Sequence, residues 1–241
     1  ALIDPAPSPE SETVFSLSDD NRWLMMSRDS NVTLWNLDGA EPQQFPQPLQ
    51  ADESESDPIE AFAVGHEHRC LITQTISGRV QIWNFQETRE MPVMPIALST
   101  PEEPIFVFTL SNDRHWLFTL SEKGLLQTWD LQATDVVASG TLLSPVDEPV
   151  RDFRVSPDGR WLLMLCENGV LHARELRASE PYAAGVIPLS TSDDPIRSFT
   201  ISENAEWVVT QSDNLMIQVW NLPALRAQSS PIFMSRSAFS N

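Results

Sequence analysis

Along this chain apolar and polar residues alternate in short bursts, and no stretch sustains the 3.6-residue spacing of a helix. In PVRDFRVS, Val150, Phe153 and Val155 mark a strand buried on one face, apart from a local irregularity. The segment Ser156 to Arg160 follows. Its proline presets φ for a turn and its glycine tolerates positive φ, so it closes a hairpin into the apolar run WLLML. Polar turns stand at the same place in Ser18 to Arg22, Ser111 to His115 and Ser202 to Glu206. A second turn comes after each second strand, at Arg28 to Asn31, Ser77 to Arg79, Glu122 to Gly124, Asn168 to Gly169, and Asp213 to Asn214. The third strand ends at a tryptophan or at Arg174. A polar link then leads to a fourth short run, as in PIAL, GTLL, GVIPL and SPIFM. Prolines placed mainly between strands argue further against helices. The pattern predicts an all-β chain with four strands per unit.

The units repeat. Trp35, Trp83, Trp129, Arg174 and Trp220 close the segments VTLWNL, VQIWNF, LQTWDL, LHAREL and IQVWNL at intervals of 48, 46, 45 and 46 residues. A second series runs through Trp23, Cys70, Trp116, Trp161 and Trp207 at intervals of 47, 46, 45 and 46. All eight tryptophans fall in these ten slots, with Cys70 and Arg174 in the other two, so the indoles are packing residues before they are anything else. Four antiparallel strands repeated every ~40–45 residues describe the blade of a β-propeller, whose sheets are buried only against their neighbours. Two indoles per unit, at on the order of 150–250 Å² each, would supply much of that burial. The expected fold is one propeller segment over 1–241, with repeat cores at about 11–37, 58–85, 104–131, 149–176 and 195–222.

SPDGRWLLML, SRDSNVTLWNL and LQTWDL resemble the WD40 repeat family, over nearly the whole chain, and the linker WDLQATDVVASGTLL is similar to the long-period WD40 repeats of bacterial multidomain proteins. The resemblance implies a non-catalytic scaffold that binds proteins or peptides through loops on one face. The family places a Gly-His pair before the first strand and links its histidine to a turn Asp, a Ser or Thr, and the terminal Trp. Here the histidine slots hold Ser8, Glu55, Pro101, Val146 and Ser192. The turn acid survives as Asp29, with Ser77, Lys123, Asn168 and Asn214 in the other repeats. On this reading the network is absent and apolar packing with other turn bonds replaces it. Because the family's rings usually hold seven blades and the opening ALID aligns with the tail of a fourth strand, a five-blade piece of a longer array is expected, ahead of an intact five-blade ring.

Charge narrows the partners. With 15 Lys+Arg against 34 Asp+Glu the formal balance is −19, which disfavours nucleic acid and anionic membrane surfaces and suits a basic protein or peptide. The longest apolar run, Trp161 to Cys166, is far shorter than the ~20 residues of a membrane-spanning helix. Cys70 and Cys166 fit no disulfide framework and no metal-ligand spacing, and are expected to be buried thiols. The compartment stays open, with a lean towards the cytoplasm.

The repeated polar feature is an acid before proline: Asp57-Pro58, Glu103-Pro104, Glu148-Pro149 and Asp194-Pro195. In a propeller these carboxylates would line one mouth and attract cationic peptides; the competing explanation is turn chemistry, with Arg151 and Arg197 neutralising two of the acids. Glu60, Phe106, Arg151 and Arg197 occupy equivalent places on the first strands, and a varied set there suits selective binding. The candidate partner-binding residues are therefore Asp57, Glu60, Glu103, Phe106, Glu148, Arg151, Asp194 and Arg197. Asp52, Glu53 and Glu55 belong to a solvated inter-repeat loop. His66, Glu67 and His68 are read as a hairpin turn rather than a metal site, and Asn31-Val32-Thr33 is a glycosylation sequon only for a protein exported by a eukaryotic pathway. GxSxG, GxxxxGK[ST] and HExxH are missing, no nucleophile and base can be paired, and no repeat departs chemically from the others. No cofactor is implied. The rivals to a binding scaffold are a propeller hydrolase acting on a sugar or lactone, and a purely structural spacer.

Overall fold

The computed structural model describes residues 13–17, 21–28, 31–37, 39–44, 49–50, 57, 59–65, 70–84, 95–100, 102–144, 147–176, 185–190, 193–225 and 230–236. The Asp52–Glu55 loop, the His66–His68 turn, Asp29 and all five histidine slots lie outside them.

Five antiparallel sheets follow one another along the chain, each built in sequence order. The first holds β1 (Thr13–Leu17), β2 (Trp23–Arg28), β3 (Asn31–Asn36), β4 (Gln43–Gln44) and β5 (Leu49–Gln50). The second holds β6 (Ile59–Val64), β7 (Cys70–Thr75), β8 (Val80–Asn84) and β9 (Ile96–Ala97). The third holds β10 (Ile105–Leu110), β11 (Trp116–Ser121), β12 (Leu126–Asp130) and β13 (Thr141–Leu142). The fourth holds β14 (Val150–Val155), β15 (Trp161–Cys166), β16 (Leu171–Glu175) and β17 (Val186–Pro188). The fifth holds β18 (Ile196–Ile201), β19 (Trp207–Ser212), β20 (Met216–Asn221) and β21 (Phe233–Arg236). In the first sheet the fourth strand is split, because β4 and β5 both pair with β3, at its two ends. The only helices among the described residues are single 3-10 turns at Val137–Ser139 and Leu222–Ala224.

The chain divides into two compact units, Ala1–Ile105 and Phe106–Asn241. In the second unit β15 shows why WLLMLC is unbroken. Trp161, Leu163 and Leu165 join a core with Phe199, Val208 and Trp220 of the fifth sheet. Leu162, Met164 and Cys166 point the other way, into a core with Phe118, Leu120 and Leu126 of the third. A strand covered on both faces needs no polar alternation, and each buried Leu or Met stabilises the fold by roughly 1.5–3 kcal/mol. In the first unit Trp23, Met25 and Leu34 pack with Ile59, Leu71 and Trp83. Trp23, Trp83, Trp129, Trp161 and Trp220 are buried, whereas Trp35, Trp116 and Trp207 are half-buried.

The polar turns are braced alike. Ser111, Ser156 and Ser202 accept the amides of Trp116, Trp161 and Trp207 at 3.0, 2.8 and 2.9 Å and donate to Asp113, Asp158 and Asn204. The fourth residue of each turn is left-handed: Arg114 at φ 59°, Gly159 at φ 70° and Ala205 at φ 56°.

Candidate functional site

The acid-proline pairs stand where the chain enters a sheet, and three sets of bonds fix them. First, the residue after the proline bonds backward to the preceding sheet: Ile105, Val150 and Ile196 donate to the carbonyls of Gly78, Gly124 and Gly169 at 2.8, 2.9 and 2.8 Å. Those glycines turn between second and third strands at φ 81°, 75° and 78°. A Cβ on any of them would come within 2.7, 2.6 or 2.4 Å of the Cβ of Pro104, Pro149 or Pro195, so glycine is required by conformation and by contact together. Second, the proline carbonyl bonds forward within its own sheet, Pro149 accepting from the Glu167 amide at 2.8 Å and Pro195 from Asp213 at 3.0 Å.

Third, in three of the pairs the acid side chain reaches back into its own sheet, two of them to the same turn. Asp57 accepts from the Ser77 amide at 3.1 Å and from its hydroxyl at 2.5 Å. Burial alone would raise the Asp57 carboxyl, but the bonds from Ser77 and Thr75 and the charge of Arg79 outweigh it and hold it below the ordinary 3.8. Asp194 accepts from Asn214 Nδ2 at 3.0 Å and from Gln218 Nε2 at 3.3 Å. Glu148 Oε2 lies 2.7 Å from His172 Nε2. Glu103 forms an isolated bridge with Thr100, its amide donating to the Thr100 carbonyl at 3.0 Å. Turn chemistry thus engages Asp57 and Asp194, and Arg151 donates not to an acid but to the carbonyls of Ile196 and Arg197, each at 2.9 Å.

The other candidates have a different setting. Glu60, Phe106, Arg151 and Arg197 are all exposed, Phe106 by 52%. Glu60, Arg151 and Arg197 each fall at a register shift of the first strand, between Ile59 and Ala61, Val150 and Asp152, and Ile196 and Ser198. The irregularity legible in PVRDFRVS is this bulge. A bulged residue leaves the ladder and re-aims its side chain, which frees the position from the inside-outside alternation that fixes its neighbours. Phe106 holds the equivalent second position of β10.

Part of the tryptophan network expected to be absent is present. Trp83, Trp129 and Trp220 donate from Nε1 to Thr73, Thr119 and Thr210 at 2.9, 2.9 and 3.3 Å. In the fifth sheet the bonds continue, Thr210 to Gln218 at 3.4 Å and Gln218 to Asp194. A buried indole N–H needs an acceptor, and a threonine three residues after the first tryptophan slot provides it without any histidine. Met26 and Met164 hold that place in the other two sheets. There the buried Trp35 Nε1 and Arg174 Nε have no partner. The spacing was in the sequence and carried the signal.

The fourth sheet also departs chemically from the rest, contrary to the sequence reading. Its acid, Glu148, meets Cys166 and His172, and one ligand-type atom from each lies within 4.8 Å of the others. Burial, reinforced by the charge and hydrogen bond of Glu148, pushes the Cys166 thiol up to about 12. A protonated, fully buried thiol is no nucleophile. Cys70, in its tryptophan slot, is likewise pushed up to about 11 by burial, against a lowering bond from the Gly65 backbone.

No family model matches this chain, and no curated protein does. Among solved structures it is similar to the β-propeller domain of Cps50 (Swd1) from Myceliophteria thermophila, at 13% identity and a TM-score of 0.55, over 92% of this chain and 72% of that one. That likeness, with five antiparallel sheets of the same build, shows a β-propeller fold.

Proposed function

We propose that this chain is a non-catalytic WD40-type module that binds a protein or peptide partner through the second residues of its first strands, with Phe106, Arg151 and Arg197 carrying recognition in the second unit and Glu60 in the first. The observation that supports this reading is the separation of roles at the sheet entry. Asp57 and Asp194 are occupied by turn bonds and Glu148 by His172, while the residues three places on, Glu60, Phe106, Arg151 and Arg197, are exposed and chemically varied, three of them at bulges. Selective contact calls for such a set, in which an aromatic ring and two guanidinium groups replace one another at equivalent positions. The balance of −19 favours a basic partner and speeds its approach. The acid-proline pairs contribute to that field while their geometry serves the joints between sheets.

Recovery of bound proteins by the full chain, compared between the native sequence and a Phe106→Asp, Arg197→Glu variant, tests the reading. Loss of a specific band in a variant whose thermal midpoint is unchanged supports it. Identical recovery by both leaves the chain a structural spacer.

A further inference from the structure

Position by position, two side chains recur at equivalent places in the four sheets that carry the acid-proline pair. One is the last residue of the second strand and the other lies two residues before the terminal tryptophan slot. In the second sheet these are Thr75 and Gln81, in the third Ser121 and Gln127, and in the fifth Ser212 and Gln218. A hydroxyl and a carboxamide next to a carboxylate make a hydrogen-bonding set, as Gln218 and Asp194 show at 3.3 Å. In the fourth sheet both are replaced at once, the hydroxyl by Cys166 and the carboxamide by His172. Each replacement is a poorer neutral hydrogen-bonding group and a better metal ligand.

The replaced set is poorly satisfied by protein alone. His172 is buried, and its Nδ1 has no partner. Met164 stands opposite it in register, where Thr210 engages Gln218 in the fifth sheet, so the cross-strand residue offers the ring no hydroxyl. Cys166 is fully buried, and its thiol, the Glu148 carboxylate and a His172 ring nitrogen lie together.

We infer that Glu148, Cys166 and His172 form a three-ligand site for a divalent zinc ion. Thiolate, imidazole and carboxylate are all zinc donors, and in a tetrahedral site their atoms stand on the order of 3.3 Å apart at bond lengths of about 2.0–2.3 Å. The present atoms, within 4.8 Å of one another and as close as 2.7 Å, reach that arrangement by side-chain adjustment. Binding exchanges the Cys166 proton for the ion: the S–H bond breaks, a Zn–S bond forms and one proton leaves to solvent, while the His172 ring proton passes from Nε2 to the unpartnered Nδ1 so that Nε2 can ligate. The charges close as well, since one thiolate and one carboxylate neutralise the dication and no net charge is buried. Glu148 opens the way in, its side chain being 33% exposed against 11% for His172, and the fourth coordination position faces that side for water or an external donor.

The full chain, stripped with a chelator and titrated with zinc against a chromogenic competitor, should take up one ion per chain; with cobalt in place of zinc it should show a thiolate-to-cobalt charge-transfer band. Cys166→Ser and His172→Gln restore the residue types that the third and fifth sheets carry, so both variants are expected to fold. Each should weaken binding by at least about 10-fold, and Cys166→Ser should remove the band, whereas Cys70→Ser should leave both unchanged. Zinc should raise the thermal midpoint of the native chain and not that of the double variant. No uptake by the native chain, or a band that survives Cys166→Ser or vanishes in Cys70→Ser, overturns the assignment. The native cobalt spectrum and the Cys70→Ser control decide it even if a ligand variant were unstable.

Discussion

The indole Nε1 of Trp129 donates to Oγ1 of Thr119 at 2.9 Å, inside a hairpin where both residues are buried. This bond recurs wherever the second strand carries threonine at that place, and it gives those indoles an acceptor without any histidine. Replacing Thr119 by valine keeps the shape and removes the acceptor. The expected cost is about 1–3 kcal/mol, the penalty for a buried donor left without a partner. Denaturant titration of Thr119→Val and the native chain measures it; equal midpoints would mean that the bond contributes nothing.

Gly124 should tolerate no side chain. At φ 75°, with Pro149 Cβ 2.6 Å from any added Cβ, Gly124→Ala combines left-handed strain with overpacking, for a loss of about 2–4 kcal/mol. Leu215 holds the equivalent turn position in the fifth sheet at φ 64°, with its side chain 45% exposed. Leu215→Gly therefore relieves strain and should raise stability by up to ~1 kcal/mol, after the greater entropy of glycine in the unfolded chain is subtracted. A pair of chemical-denaturation curves checks both signs.

Acid should weaken the second sheet through Asp57. Its carboxyl sits below 3.8 in the folded chain, so the unfolded state takes up the proton first as pH falls. The contribution is complete above the unfolded value and disappears as pH drops through the lower folded one. The thermal midpoints of the native chain and Asp57→Asn should therefore differ at pH 6 and converge towards the acid limit; a constant gap would place the stabilisation elsewhere.

If the overall negative charge steers a basic partner, its association rate should fall as salt rises, while the dissociation rate changes little. Stopped-flow mixing at several ionic strengths separates the two. An association rate indifferent to salt would remove the steering role.

Much of this architecture was legible because the constraint repeats. Trp161 and its counterparts mark every sheet, and SPDGR announces its hairpin by turn chemistry alone. The acid-proline pairs were visible too, but their purpose was not, since Pro149 meets Gly124 only when two sheets are packed side by side. The network was misjudged for a different reason. Its missing histidine was conspicuous, whereas Thr73, Thr119 and Thr210 look like ordinary strand residues until their register to the tryptophans is known. Glu148, Cys166 and His172 escaped notice because a strand and two turns separate them in sequence, so no ligand spacing of the usual kind appears. The split of the first sheet's last strand into β4 and β5 had no apolar run to announce it.

The proposal that recognition falls to the exposed first-strand residues requires the sheet entries beside them to be structural joints. Native-state amide hydrogen exchange tests that most directly. The amides of Ile105, Val150 and Ile196, bonded to the glycine carbonyls of the sheets before them, should exchange as slowly as the central strand amides of Leu163 and Val208. Exchange at the rate of open loop residues would contradict it.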